Sequence, residues 1–359
     1  MRGGMDFPQS RCVGAVPKLI FKGKERKEQK MLTIRSKSLN LFFVSVIVLC
    51  CTFVWIGDAL AKGEYPTKPV KLIVPWKAGG GTDALMRMIA HYAGKYLGQP
   101  MVVVNVSGVG GTLGARQGKD AKPNGYTLTA THESVISSYI VGVAEFNYSS
   151  FIPIANMTLT PAIVAARADA SWNTMRELVA DAKKRPGEIT FGATLGSTSH
   201  FFPLEIAYKA GIKLKIVGYE GTADRQAALL GGFIDLGESN PAAGRKYFKA
   251  KKLKGLGIAT EERHPLLPNV QTLREQGVDV LFSVNRGICA PLRTPKPIIN
   301  KLAAAFKKAS QDPEFIERIN TLGTLVVYRT PDEYKAYIEE ATQSLSLLAK
   351  EFGIKPKKK

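Results

Sequence analysis

Residues 69–98 read PVKLIVPWKAGGGTDALMRMIAHYAGKYLG. The stretch opens with a short continuous apolar run ending at Pro75, the pattern of a strand buried on both faces of a parallel sheet. Residues 82–97 then place Leu85, Met88, Ile89, Tyr92, Ala93 and Tyr96 at helical spacing, and Gly98 and Pro100 stop the helix. Between strand and helix stand three consecutive glycines, Gly79, Gly80 and Gly81. Strand, glycine turn and helix make the opening of an α/β unit, and the unit repeats. MVVVNV reads as a second strand, GVGGTLGARQGKDA as a second turn and helix, and GYTLTAT as a third strand. The order β-α-β-α-β predicts a parallel sheet with right-handed connections.

The pattern resumes downstream. Residues 174–185 are helical and end before Pro186-Gly187, EITFGA is a strand, residues 201–210 a helix and KLKIVGY a strand. Residues 222–230 form a helix, and FIDLG and KLKGLGIA two more strands. Turn and proline signals cluster at VNRGICAPLRTPKP, followed by helices over residues 297–311 and 331–352. Two α/β units with no linker predict two lobes packed together, with a ligand at the carboxyl ends of the strands.

The whole chain has 359 residues, 45% hydrophobic and 22% charged, too apolar for a disordered protein and long enough for two domains. Residues 39–57 carry no charge, follow Arg35 and Lys37, and precede Ala59-Leu60-Ala61, the layout of a secretory signal peptide cleaved after Ala61. An uncleaved anchor is the alternative reading, because nineteen uncharged residues can span a bilayer. Residues 1–30 resemble no domain, and Met31 would open a conventional precursor. The net charge is +20; without residues 1–61 it is +14, from 40 basic and 26 acidic residues. Cys12, Cys50 and Cys51 leave with that segment, so Cys289 alone remains, expected buried, with no intramolecular disulfide and no sulfur-based metal site.

A basic chain needs an anionic partner. KKLK at residues 251–254 and KPKKK at the C-terminus lack the interleaved aromatics of a nucleic-acid platform, so no nucleic-acid partner is expected and the two runs read as solvated surface and a frayed tail. PWKAGGGTD, residues 75–83, suits a small anion better. Its glycines let backbone N–H groups converge beside the N-terminus of a helix, and Lys77 adds a charge at the rim. Asp83 either caps the helix or accepts a donor from the ligand, and a tight turn without ligand is the plain alternative. GATLGSTSH, residues 192–200, offers Ser197, Thr198 and Ser199 at a second strand-to-helix junction, with helix capping as the plain role for one of them. Neither loop has the lysine of a phosphate loop, the G-x-G-x-x-G dinucleotide fingerprint or the G-x-S-x-G elbow of a hydrolase. His91, His132, His200 and His264 show no metal-ligand spacing, so no metal, no cofactor and no catalysis are expected.

YPTKPVKLIVPWKAGGGTD, LGQPMVVVNVSGVGGTLGA, AKPNGYTL, GATLGSTSH, ALLGGFIDLG, LPNVQTLREQGV and APLRTPKPIINKL, in this order over residues 64–354, resemble the Bug family, the extracytoplasmic solute receptors of tripartite tricarboxylate transporters. The resemblance implies an α/β, two-lobed type II periplasmic-binding-protein fold with the ligand cleft between the lobes. It implies a periplasmic, non-enzymatic, monomeric protein that takes a small organic carboxylate and delivers it to a membrane permease. A sensory role beside a histidine kinase, or an exported enzyme acting on a carboxylate, is the alternative. Lobe 1 is expected over residues 62–161 plus 286–359, and lobe 2 over 162–285. Carried over by position, Lys77, Ala78, Gly79, Gly80, Thr82 and Asp83 form the first-lobe side, and Thr194, Ser197, Thr198 and Ser199 the second. Thr131, His132 and Asn240 fall where such receptors select the rest of the ligand, as does Glu238, and Arg286 lies near the return crossing. Trp76 and Ala78 depart from the family's usual proline-phenylalanine-x-proline loop, and Val217-Gly218-Tyr219-Glu220-Gly221 replaces a proline and reverses a charge.

Overall fold

The first glycine turn is flanked by β1 (Val70–Val74) and α1 (Gly81–Leu97), as the apolar run and the helical spacing require. They belong to a computed structural model that describes residues 64–354. The export signal, the internal start at Met31 and the KPKKK tail lie outside the described residues.

Chain order continues with β2 (Met101–Asn105), α2 (Thr112–Lys119), β3 (Thr127–Thr131), α3 (Ser134–Ile140), β4 (Phe151–Pro161) and β5 (Ile163–Arg167). Next come α4 (Met175–Lys184), β6 (Thr190–Ala193), α5 (Thr198–Ala210), β7 (Lys215–Gly218), α6 (Thr222–Leu230), β8 (Leu236–Ser239), α7 (Pro241–Lys249) and β9 (Leu253–Ile258). The chain closes with β10 (Ser283–Pro291), α8 (Lys296–Gln311), α9 (Pro313–Thr321), β11 (Leu325–Arg329) and α10 (Pro331–Glu351).

Two sheets result, ordered β11-β4-β10-β3-β1-β2 and β7-β6-β8-β5-β9. The expected parallel unit is present, with β1 between β2 and β3 in register Val70 to Met101 and Leu72 to Leu128. The second sheet repeats it with β6 parallel to both β7 and β8. Each sheet then gains antiparallel strands: β10 between β3 and β4 in the first, β5 between β8 and β9 in the second. These are the crossing strands. β4 ends at Pro161 in the first sheet and β5 begins at Ile163 in the second, and β10 brings the chain back. The chain is an α/β protein of two lobes with a cleft between them.

Each sheet is closed by helices. Met86 and Ile89 of α1 and Phe306 of α8 are fully buried with Leu72 and Leu128 of the first sheet. Each such side chain stabilises by about 2 kcal/mol. Phe191, Phe201 and Phe202 fill the second lobe and belong to one cluster with Tyr334 of α10. Gly287 of β10 is required by that packing, since a Cβ there would stand 2.5 Å from the Tyr334 ring. A register shift between Arg286 and Gly287 bulges β10 at this point, the kind of irregularity that re-aims a neighbouring side chain. Cys289 is fully buried beside Thr131, and burial pushes its thiol up to about 12.

Candidate functional site

The loops that leave β1, β3, β6 and β8 meet at one place, and there the two lobes enclose a cavity of about 60 Å³. The first lobe contributes Trp76, Lys77, Gly80, Gly81, Thr82, His132 and Arg286, and the second Thr194, Ser197, Thr198, Ser199, residues 221–225 and Glu238. Three helices begin on this cavity: α1 after Gly80, α5 after Ser197 and α6 after Gly221. None has a side-chain cap. Of the other described helices, α4, α7, α9 and α10 are closed by Thr174, Asn240, Asp312 and Thr330, and α2, α3 and α8 also lack a side-chain cap. The first-turn N–H groups of a helix have no partner inside it, and its N-terminus carries about half a positive charge. Three uncapped N-termini aimed into one small cavity form a site for an anion.

The second-lobe wall is organised by Arg225 of α6, which is 4% exposed. Its Nη1 donates to Thr194 Oγ1 and Ser199 Oγ, both at 3.0 Å, and its Nη2 to Glu238 Oε2 at 3.2 Å. Burial pushes the guanidinium pKa down while Glu238 holds it up. Ser199 Oγ also accepts the Thr194 backbone N–H at 3.0 Å, and Ser197 Oγ donates to the Thr194 carbonyl at 2.8 Å. These hydroxyls are therefore engaged by the protein itself.

The first-lobe wall holds a second buried guanidinium, Arg286, beside the β10 bulge. Its Nε donates to Thr82 Oγ1 at 3.0 Å and its Nη1 to Thr160 Oγ1 at 2.7 Å. Burial pushes its pKa down to about 10, with Glu133 and Glu238 opposing, so it stays charged at neutral pH. Unlike Arg225, Arg286 forms no ion pair with any described residue. A buried charge is costly until an opposite charge reaches it, so Arg286 is poised for an anion. His132 Nδ1 faces Thr198 Oγ1 across the lobes at 3.0 Å and accepts the Ser134 N–H at 3.2 Å, which assigns the ring hydrogen to Nε2. Burial, then Arg286, drives its pKa well below the ordinary histidine value, so the ring is neutral. Trp76 stacks on it, centroids 4.1 Å apart and planes 16° from parallel.

The residues singled out from sequence separate into three groups. Lys77, Gly80, Thr82, His132, Thr194, Ser197, Thr198 and Ser199 line the cavity. Lys77 is there differently than expected: its Nζ is 2.9 Å from Asp224 Oδ2 of the opposite lobe, so its charge ties the rims together. Asp83 and Gly79 form the scaffold of the loop. Asp83 is buried and accepts Gly79 N, Asn105 Nδ2 and Arg87 Nε at 2.9, 2.9 and 3.1 Å. Burial raises its pKa, but those donors outweigh it and hold the carboxyl below its ordinary value. Gly79 needs to be glycine for its φ of +79°. Ala78 is exposed outside the cavity, Thr131 turns its hydroxyl into the core toward Tyr334 and Cys289, and Asn240 caps α7 through Ala243 N. Sequence reasoning missed Arg225 and Asp224. An arginine on an amphipathic helix reads as solvated surface, and only the position of the α6 N-terminus beside the cavity reveals otherwise.

A family model described as the tripartite tricarboxylate transporter family receptor matches residues 85–354. A UPF0065 protein of Agrobacterium vitis is 32% identical over 324 residues, covering 87% of this chain and 93% of its own. The periplasmic binding protein BugD superposes with a TM-score of 0.76 at 30% identity, covering 82% of this chain and all of BugD. MatC from Rhodopseudomonas palustris, solved with bound malate, superposes with a TM-score of 0.74 at 27% identity, covering 79% of this chain and 99% of MatC.

Proposed function

The chain belongs to the tripartite tricarboxylate transporter receptor family, and from that premise we propose that it is a periplasmic receptor that closes on a small carboxylate and presents it to a membrane permease. The observation that carries the ligand class is the convergence of three uncapped helix N-termini and the unpaired, buried Arg286 on one cavity. The malate found in MatC supports the same class. Each lobe supplies part of the anion site, so a bound carboxylate contacts both lobes only when they are together. That differential contact is what shifts the population toward the closed form. Lys77 with Asp224, His132 with Thr198, and the Ser137 and Ser138 hydroxyls on the Gly196 carbonyl complete the seam. The expected export signal ending at Ala61 fits a protein working outside the cytoplasm.

A ligand that binds only the native state raises the melting temperature, so a thermal-shift panel of carboxylates on the purified protein tests the reading. A rise with at least one acid is expected. No rise with any acid, together with no acid released from denatured protein in mass spectrometry, overturns it.

A further inference from the structure

Beyond Arg286 the cleft continues into a second chamber of about 490 Å³, far larger than the inner cavity of about 60 Å³. The two share Gly80, Gly81, Thr222, Ala223 and Arg286 as a neck. The neck is narrow: a Cβ on Gly81 of the first lobe would lie 3.8 Å from Asn240 Nδ2 of the second. Resting on the carboxylate-receptor reading, we infer that this receptor selects a monocarboxylate with an apolar tail, its head in the inner cavity and its alkyl or aryl tail in the outer chamber.

Charge sets the head. The inner cavity is lined by the cations Lys77, Arg225 and Arg286 and the anions Asp224 and Glu238. Lys77 is paired with Asp224 and Arg225 with Glu238, which leaves Arg286 as the one lining cation without an ion-pair partner, already partly balanced by Glu133 and Glu238 from further off. One carboxylate neutralises it. A second carboxylate in the same small space would sit near Asp224 and Glu238 with no cation of its own. The tail follows from the outer wall, built by Leu85, Ala227, Leu230, Ala243, Tyr247 and Leu322. No acidic side chain lines it, and its one cation besides Arg286 is Lys246, which is exposed to solvent. The threonine hydroxyls at its back are already engaged, Thr160 with Thr324 at 2.8 Å. The one buried donor there without a protein partner is Gln226 Nε2, which suits a single neutral acceptor on the tail. A second carboxylate placed among these groups would find no cation beyond Arg286 except Lys246 at the solvent edge.

The test is calorimetry on the purified full chain with acetate, butyrate, hexanoate, octanoate and 3-phenylpropionate, set against malate, adipate and citrate. Affinity is expected to rise about fourfold per buried methylene, and 3-phenylpropionate to bind at least tenfold more tightly than malate. Leu230→Glu, at a partly exposed site on the chamber wall, is expected to collapse the octanoate-to-butyrate affinity ratio. A di- or tricarboxylate binding more tightly than every tailed monocarboxylate, or a flat homologous series, overturns this inference and leaves the receptor reading standing. Binding of none of the eight acids, with none carried over in the purified protein, removes both.

Discussion

Lys77 Nζ and Asp224 Oδ2 stand 2.9 Å apart at the rim of the cleft, one from each lobe. Hydrogen bonding to Asp224, with its charge, raises the Lys77 pKa, so the ammonium stays charged through neutral pH. Both side chains are well exposed, and exposed pairs contribute little and are screened by salt. The pair therefore acts as a weak latch. Asp224→Ala is expected to lower ligand affinity about two- to fivefold at low salt and by nothing measurable at 1 M salt. Lys77→Ala with Asp224→Ala should be no worse than either alone. A large, salt-independent loss on Lys77→Ala alone, read by calorimetry, would instead make Lys77 a direct ligand contact.

Arg286 is the opposite case, a buried cation with no ion-pair partner among the described residues, Glu133 and Glu238 acting on it only from further off. Arg286→Met keeps the volume and removes the charge. Anionic ligands are expected to lose at least about 100-fold in affinity, because their carboxylate is then left in the cavity without its counter-charge. The ligand-free protein should melt no lower than the wild type, since removing a buried charge that has no ion pair offsets the lost hydrogen bonds to Thr82 and Thr160. Unchanged affinity would take Arg286 out of the site.

The contrast between those residues marks what a sequence carries and what it does not. The β1, Gly79–Gly81 and α1 unit is local, so periodicity and turn chemistry find it, and α6 is found to the residue. β4 and β5 escape because Pro153 and Pro161 interrupt the pattern and their partners lie far along the chain, in β10, β8 and β9. β8 begins three residues after the FIDLG motif starts, because residues 231–235 are spent on the turn out of α6. The same distinction runs through the site. Glycine loops and hydroxyl runs announce an anion, yet the residues that hold the charges, Arg225 and Arg286, depend on which helix end and which bulge the fold brings to the cavity. Thr131 shows the reverse error: it sits at the correct strand end, but its side chain falls on the core face.

Gly80 offers a test of the first loop. It is extended, with φ −77° and ψ 164°, so a β-branched residue is compatible with its backbone, and an added Cβ would meet only the Lys77 carbonyl, at an ordinary 3.4 Å. Gly80→Val is expected to fold with a melting temperature within a few degrees of the wild type, while its methyl groups occupy the neck between the two chambers. Loss of all carboxylate binding with an unchanged circular dichroism spectrum is the expected result. Retained affinity would reduce the glycine loop to a turn.

Glu205 on α5 supplies a pH prediction away from the cleft. It lines a groove with Phe282, Arg329, Glu340, Leu345 and Leu348, and burial lifts its carboxyl to about 7, with Lys209 opposing and Asp279 adding. The unfolded chain has the ordinary glutamate value of 4.5. Below 4.5 both states hold the proton and the group favours neither. Between 4.5 and about 7 the unfolded chain releases its proton first, so stability falls as pH rises. Above about 7 both states are ionised and the penalty is constant. Glu205→Gln removes it. The variant should gain about 2 °C over the wild type at pH 8 relative to its difference at pH 4.5, a modest figure because solvent reaches one side of the carboxyl. Melting curves that stay parallel across that range would place the Glu205 carboxylate in water.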